Sequence, residues 1–262
     1  MRVRAIAHAG RCTATLASPI VGLLTSTTIA YASACSFEPQ GTGRIADAID
    51  IRTLRMADGA EIRLTGIEPA TAPLSMAALT ALIPNVEIAL HGESDTPDRY
   101  GRQSAFVFIE TDGPPLQVRL LRAGAALASG TVPDRACAAE LAVAEAEARR
   151  AKAGIWSRDG VIKNAAITGD ILPQLGRFVV VEGRVLSVRE AGTTTYLNFG
   201  RRWTRDFAVS ISRRMMAAFA GAGITLKSLE RRRIRVRGWV ENRGGPRIEA
   251  RHVGQIEVVG DQ

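Results

Sequence analysis

A clear pattern of alternating apolar and polar positions begins at Ile45 and continues to Glu68. Two short alternating runs within it flank the pair Asp58-Gly59, and such a pair between two alternating runs is a strong hairpin signal. A β meander is therefore predicted here. Its strands are predicted at residues 45–50, 53–56 and 61–68.

The apolar spacing becomes mostly helical in the next part of the chain, with two further runs that are typical of strands. Helices are predicted at 72–83, 116–127 and 136–153, the second of them broken by Gly124, and strands are predicted at 86–90 and 105–109. The segment 93–98 is polar and contains Pro97. We expect it to form a mobile loop that carries Arg102 towards the strand ends of the meander.

Strand patterns dominate again after a mixed, mostly polar segment at 158–174, which we interpret as a linker. The predicted strands are 178–188, 193–199, 206–212, 233–240 and 247–259, with one helix at 213–220. Three strands, one helix and two strands are the order of an OB barrel. The predicted fold class is thus mainly β with α helices (α+β): a first barrel with helices, followed by a smaller OB-like barrel at 175–260.

The first 34 residues have the pattern of a secretory signal peptide. Three arginines precede an uncharged and mostly apolar run at 13–30, and Ala32-Ser33-Ala34 provides the small residues of a cleavage site. We expect cleavage after Ala34 and a periplasmic or secreted mature chain without a stable membrane span. A retained membrane anchor and a lipidated Cys35 are the alternatives.

Cysteine use agrees with export. Cys12 would leave with the signal peptide, and Cys35 and Cys137 would remain as an even pair in an oxidising compartment. We predict a disulfide between them, with two independent buried thiols as the alternative. His91 and His252 have no metal-ligand spacing to either cysteine, so these residues predict no bound metal.

Charged residues stand at the predicted strand ends of the meander. Asp50 precedes the second strand, Glu68 follows the third, and Arg63 lies near both. Two carboxylates and an arginine in such a place could hold a divalent cation and a phosphate group. Ordinary solvated charges at strand ends are the alternative interpretation.

Three ordered motifs resemble the staphylococcal nuclease-like (thermonuclease) domain over about residues 41–157. The first is the meander, the second is the Tyr-Gly-Arg segment that ends at Arg102, and the third is the Gly-Ile-Trp segment that ends at Trp156. The resemblance implies an OB-type barrel with helices, which we place at residues 35–157. It also implies calcium-dependent phosphodiesterase activity where the site of the family is complete.

The resemblance also implies roles for individual residues. Arg63 and Arg102 fall on the two phosphate-binding arginines of the family. Glu68 falls on one of its metal-binding aspartates, but Arg52 occupies the position of the other. Thr71 occupies the position of the glutamate that acts on the attacking water. The sequence thus keeps the phosphate-binding residues and loses much of the cation-binding set.

These departures argue against hydrolysis by the mechanism of the family. A guanidinium group about 4 Å from a cation replaces an attraction of roughly 4 kcal/mol by a similar repulsion, at an effective dielectric constant near 20. The hydroxyl of Thr71 cannot take a proton from water at neutral pH. In an active enzyme, Asp50 and Glu68 would hold Ca²⁺. Its catalytic residues would be Arg63, Arg102 and Glu68.

Positive charge is concentrated in the C-terminal part. The chain has a net charge of +8, and residues 170–262 hold 17 Lys and Arg against 9 Asp and Glu, which accounts for all of it. A barrel with arginines and aromatic residues on one face commonly binds single-stranded nucleic acid. Alternatively, the aromatic residues belong to the core and arginine is simply abundant. The predicted nucleic-acid-binding residues are Arg201, Arg202, Trp203, Arg233, Arg235 and Arg237.

Three functions remain open from the sequence. The first is an exported nuclease-like protein that lacks calcium-dependent phosphodiesterase activity, needs no cofactor and binds nucleic acid or another polyanion. The second is an active metal-dependent nuclease that hydrolyses DNA or RNA. The third is an adaptor of the cell envelope whose two barrels bind proteins, although the sequence identifies no protein partner.

Overall fold

The computed structural model describes most of the chain in five segments: residues 33–35, 37–70, 72–83, 87–110 and 113–260. They belong to a single compact unit. The predicted signal peptide lies outside the described residues except for Ser33 and Ala34, and Thr71 lies outside them as well. Within the described segments, no helix combines the length and the apolar character needed to cross a membrane.

Seven strands form the first half of the described chain. They are β1 (Glu38–Asp50), β2 (Thr53–Met56), β3 (Glu61–Leu64), β4 (Ile67–Pro69), β5 (Glu87–Gly92), β6 (Arg102–Phe108) and β7 (Ala126–Ala128). β1, β2, β3, β6 and β5 pair in that order around a closed barrel. Neighbouring strands in the barrel are antiparallel except β3 and β6, which are parallel. β4 and β7 form a separate two-stranded sheet.

The predicted hairpin is present between β2 and β3. Its turn contains Gly59 at a positive φ of 90°, and Met56 donates its N–H to the carbonyl oxygen of Ala60 over 2.8 Å. Leu54 and Ile62 are register partners, and both are buried in the barrel. The alternation in the sequence therefore places one face of each strand in the core.

The predicted strand 61–68 is divided by a turn. β3 ends at Leu64, and β4 begins at Ile67 after Gly66, whose φ is 83°. A Cβ atom at Gly66 would lie 2.7 Å from Cδ1 of Leu141. The chain turns here with a helix packed directly against its backbone, and the turn moves Glu68 into the sheet with β7.

Three helices pack around the first barrel: α1 (Ala72–Leu82), α2 (Leu116–Arg122) and α3 (Arg135–Arg150). Within the predicted helix 116–127, α2 ends at Arg122, next to the predicted break at Gly124, and residues 126–128 form the strand β7 instead of helix. Gly124 makes the bend at a φ of 63°, and a Cβ atom there would lie 2.1 Å from the carbonyl oxygen of Ala153. Only glycine fits this contact.

The start of α3 holds the predicted disulfide. Asp134 accepts the N–H of Cys137 over 2.8 Å and so caps the helix. Cys137 is bonded to Cys35, 102 positions away in the sequence, which confirms the predicted pair. In the chain-entropy model, a bridge over a loop of this length stabilises the fold by at most about 4–5 kcal/mol.

Eight strands and two α-helices follow in the second half of the described chain. They are β8 (Ile162–Asn164), α4 (Thr168–Ile171), β9 (Phe178–Arg184), β10 (Ser187–Ala191), β11 (Thr194–Asn198), β12 (Ala208–Ser212), α5 (Met216–Gly221), β13 (Arg233–Asn242), β14 (Pro246–Glu249) and β15 (Ile256–Val258). The segment 158–174, predicted as a linker, therefore contains a strand and a helix. The predicted strands 178–188 and 247–259 are each divided in two.

The second sheet repeats the strand pairing of the first. β12 and β14 are parallel, as β3 and β6 are, and β13 is antiparallel to β14, as β5 is to β6. β9 pairs with β13 and the following β10 pairs with β11, as β1 pairs with both β5 and β2. The fold is mainly β with α helices, which confirms the predicted α+β class. The predicted domain limits stay predictions.

A buried ion pair connects the two halves. Nη1 of Arg237 on β13 donates to Oε2 of Glu145 on α3 and to the carbonyl oxygen of Ala128 on β7, each over 2.9 Å. The two charged side chains are only 4% and 1% exposed. The same oxygen of Glu145 accepts the N–H of Ala128 over 2.7 Å. These bonds fix the second sheet to α3 and β7.

Candidate functional site

The residues that the sequence places at the strand ends of the first barrel lie close together. Thr53 on β2 is the register partner of Asp50 on one side and of Arg63 on the other. Arg63 interacts electrostatically with four charged residues. These are Arg52, Arg102, Glu68 and Asp50.

The carboxylate of Asp50 is used by its own turn. Oδ1 accepts the N–H of Arg52 over 2.7 Å, and Oδ2 accepts the hydroxyl of Thr53 over 3.0 Å. Such local bonds from an aspartate fix the turn between β1 and β2. They also leave fewer lone pairs of Asp50 available to a metal ion.

Arg52 forms an ion pair with Glu68. The bond joins Nη1 of Arg52 to Oε1 of Glu68, and the two side chains are 17% and 11% exposed. The other oxygen, Oε2 of Glu68, is buried and has no hydrogen-bond partner among the described residues. Burial raises the pKa of Glu68, and the charges of Arg52 and Arg63 oppose this rise. The guanidinium group of Arg52 therefore lies beside the carboxylate at which the resemblance places a cation.

Among the described residues, Arg63 is the cation of this site that lacks a direct partner. It makes no ion pair or hydrogen bond through its side chain to another described residue. Burial lowers the pKa of Arg63, and the positive charges of Arg52 and Arg102 lower it further. Glu68 and Asp50 offset part of this effect. An anion beside Arg63 would relieve the repulsion among the three arginines.

Arg102 is held by the loop that precedes β6. Its Nε and Nη2 donate to Oδ2 of Asp98 over 3.0 and 2.8 Å. These bonds lower the pKa of Asp98 to about 2 and raise the pKa of Arg102. The loop thus brings Arg102 to the site, as predicted from its place in the sequence, while its predicted mobility stays a prediction.

Asp98 and Tyr100 belong to this loop but had no predicted role. Tyr100 is 65% exposed, and its ring lies 4.7 and 4.9 Å from the guanidinium groups of Arg99 and Arg102. The spacing of four residues between Asp98 and Arg102, with Gly101 between them, is the sequence signal for the ion pair. The position of the Tyr100 ring depends on the turn, and no pattern in the sequence predicts it.

The described residues do not fit a calcium ion. Calcium takes six to eight oxygen ligands, several of them charged. In the described segments, no group of three or more His, Cys, Asp or Glu is arranged to hold a metal ion. Of the two acids predicted to do so, Glu68 is paired with Arg52 and Asp50 already accepts two hydrogen bonds. Thr71 lies outside the described residues.

The six residues predicted to bind nucleic acid fall into two groups. Three are exposed in the loop between β11 and β12: Arg201, Arg202 and Trp203. Three lie on β13 and have acidic partners: Arg233, Arg235 and Arg237. Arg233 remains 57% exposed despite its acidic partner, so only Arg235 and Arg237 are committed to internal contacts.

The arginines of β13 form an ion-pair network. Arg235 donates to Glu182 over 3.0 Å and to Glu257 over 2.7 Å. Arg233 also donates to Glu182, over 2.7 Å. Arg235 is 8% exposed and Arg237 only 3% exposed. Arg235 and Arg237 therefore stabilise the interior, a role different from the predicted contact with nucleic acid.

Comparison with known proteins identifies one family. Residues 75–158 match the family model described as staphylococcal nuclease homologue. The matched part contains Asp98, Arg102 and the segment that ends at Trp156, whereas Arg52 and Glu68 precede it. The comparison with curated proteins gives no match. Over residues 75–158, the chain is therefore similar to the staphylococcal nuclease homologues.

Proposed function

We propose that this chain is an exported nuclease-like protein that binds nucleic acid or another polyanion and lacks calcium-dependent phosphodiesterase activity. The nuclease-homologue domain supports a nuclease-like or nucleic-acid-binding function. The absence of calcium-dependent cleavage rests on one observation, the ion pair between Arg52 and Glu68.

That ion pair changes the ligand that the site favours. A cation beside Glu68 would share the carboxylate with Arg52. If about 4 Å separated the cation from the guanidinium group, their repulsion would cost roughly 4 kcal/mol at an effective dielectric constant near 20. Displacing Arg52 would leave a largely buried guanidinium group without its partner, which also costs free energy. Both routes disfavour calcium.

The same site favours an anion. Arg63 is partly buried, lacks an ion-pair partner among the described residues and is repelled by Arg52 and Arg102. A phosphate group would form charge-assisted hydrogen bonds with Arg63 and Arg102. Without a bound cation and a general base, such binding retains the phosphodiester instead of cleaving it.

Glu68 also supports a second candidate function, an active metal-dependent nuclease. Its Oε2 is buried without a hydrogen-bond partner among the described residues, and carboxylate oxygens are preferred ligands of Ca²⁺. In that case, Asp50 and Glu68 would contribute ligands to the ion. Arg63 and Arg102 would stabilise the negative charge of the phosphate group.

A nuclease assay separates the two candidates. Purified protein is incubated with single-stranded DNA or RNA, either in calcium or in a calcium chelator. We expect no calcium-stimulated cleavage by the wild-type protein. Clear cleavage that needs calcium would overturn the proposal in favour of the active nuclease.

The double variant Arg52→Asp, Thr71→Glu tests whether the site lacks only a metal ligand and a general base and is otherwise able to cleave. We expect it to gain calcium-dependent cleavage, because it adds two carboxylates and removes a competing cation. The matched control is Arg55→Asp, Thr71→Glu, since Arg55 lies on β2, towards the end away from Arg52, and pairs with Asp47 at the surface. Equal cleavage by both double variants would contradict the role given to Arg52.

The disulfide supports the proposed export. A bond between Cys35 and Cys137 is compatible with an oxidising compartment outside the cytoplasm. We expect the signal peptide to be removed after Ala34, so that Cys35 becomes the first residue. Terminal sequencing of the protein recovered from the periplasm or the medium tests this cleavage site, and a retained first segment would contradict it.

A further inference from the structure

A second candidate binding site lies on the second sheet, away from the arginines of the first barrel. It is a cleft of about 700 Å³ between β10, β11 and the loops that follow β11 and β13. A volume of this size is in the range of ligand-binding pockets. The side chains that matter for its chemistry are Arg189, Tyr196, Arg201, Trp203, Arg243 and Arg247.

The cleft has an excess of positive charge. Four arginines line it, against the two acids Glu190 and Asp206. The carboxylate of Asp206 already accepts the N–H of Arg202 over 2.7 Å. Nε of Arg247 is buried and has no hydrogen-bond partner among the described residues. The cleft thus offers guanidinium groups to an anionic ligand.

An exposed tryptophan stands at the edge of this cleft. Trp203 is 72% exposed, although exposing a large aromatic side chain to water is energetically unfavourable. Its loop is fixed, because Arg202 and Asp206 bond to each other through backbone and side chain. Gly245 of the facing loop packs closely, since a Cβ atom there would lie 3.1 Å from the carbonyl oxygen of Trp203. The backbone that carries the ring is therefore held in place before a ligand arrives.

We propose that this cleft binds single-stranded nucleic acid, with a base stacked on Trp203 and phosphate groups at the surrounding arginines. Aromatic stacking needs a base whose face is free, which a duplex does not offer along its length. Tyr196 lies in register with Arg189 on the floor of the cleft and provides a second aromatic surface. The site shares no residue with the arginines of the first barrel, so it extends the proposed function.

The test is a binding titration of the full mature chain with a short labelled oligothymidylate, followed by fluorescence anisotropy. Trp203→Ala should weaken binding about tenfold, and Trp203→Phe should recover most of the affinity because it keeps a stacking surface. Trp239→Ala is the matched control, since Trp239 is also exposed, at 49%, but does not line the cleft. It should stay within about twofold of the wild type.

The arginines have a separate readout. The double variant Arg189→Ala, Arg247→Ala should lower the slope of log affinity against log salt by about 1 for each phosphate contact that is lost. Heparin, a polyanion without bases, serves as the comparison ligand. Trp203→Ala should leave heparin binding within about twofold of the wild type, because heparin has no base to stack. If Trp203→Ala weakened the binding of heparin and of oligothymidylate equally, the proposal would be overturned.

A further variant separates this site from the arginine site of the first barrel. If Arg63→Ala, Arg102→Ala weakens oligothymidylate binding and Trp203→Ala does not, the cleft proposal is overturned and the proposed function stands. If only Trp203→Ala weakens it, the cleft proposal stands and the arginine site does not bind this ligand.

Discussion

Arg52 and Glu68 are largely buried, so changing either residue alone should destabilise the fold. Their side chains are 17% and 11% exposed. Burial raises the pKa of Glu68, while the charge of Arg52 lowers it. The guanidinium group therefore helps to keep the carboxylate ionised. Since the same group repels cations, one ion pair links the stability of the strand-end site to its choice of ligand.

Arg52→Ala should lower the free energy of unfolding by about 3 kcal/mol at neutral pH, the low end for a broken buried pair, because both side chains keep some contact with water. Without Arg52, the pKa of Glu68 rises further above its ordinary value of 4.5. An acid whose pKa is raised by folding costs stability above that pKa and costs less as the pH falls through it. The deficit should therefore shrink on acidification, as measured by urea unfolding at several pH values.

Arg55→Ala is the matched control for this prediction. Arg55 pairs with Asp47 at the surface, where the side chains are 47% and 54% exposed. Its removal should change the free energy of unfolding by less than about 0.5 kcal/mol. A deficit of Arg52→Ala that is the same at every pH would contradict the link to Glu68.

The elements of the fold were predictable from the sequence where their signals are local. The Asp58-Gly59 pair and the alternation around it define β2 and β3 without help from the rest of the chain. The break at Gly124 has a local signal, a glycine within a helical pattern, whereas the break at Gly66 and the strand β7 after Gly124 were not predictable. Gly66 packs against Leu141 and Gly124 against Ala153, and contacts with residues so distant in the sequence leave no periodic signal.

Gly66→Ala tests how much the break between β3 and β4 depends on packing. The positive φ costs about 1–2 kcal/mol for a residue with a Cβ atom, and crowding against Leu141 adds about 1–3 kcal/mol. The free energy of unfolding should therefore fall by about 2–5 kcal/mol. Gly59→Ala is the control for backbone strain alone, because its φ is 90° and nothing lies within 4 Å of a Cβ atom there. Equal losses in both variants, measured by urea unfolding, would refute the packing contribution.

At the scale of the whole molecule, the sequence predicts charge better than it predicts contacts. Arg235 and Arg237 alternate along β13 as exposed residues do, and the surplus of positive charge in this half is real. Arg237, however, bonds to Glu145, 92 positions away, and no sequence pattern connects the two. The strand-end site was easier to predict from the sequence, because Asp50 and Glu68 stand beside local turn signals. The resemblance to nucleases indicated that Arg52 occupies the position of a metal-binding residue.

Arg237→Ala tests whether the two halves depend on each other. It leaves Glu145, whose side chain is 1% exposed, with the N–H of Ala128 at 2.7 Å and with Arg149 at 3.4 Å. Loss of one partner from a buried pair should lower the free energy of unfolding by about 3–5 kcal/mol. Adding Glu145→Gln should recover part of this, because glutamine removes the charge and still accepts the N–H of Ala128. Arg251→Ala, which breaks a surface pair with Glu249, should cost less than about 1 kcal/mol. Similar urea midpoints for Arg237→Ala and Arg251→Ala would mean that the buried pair contributes no more to stability than a surface pair does.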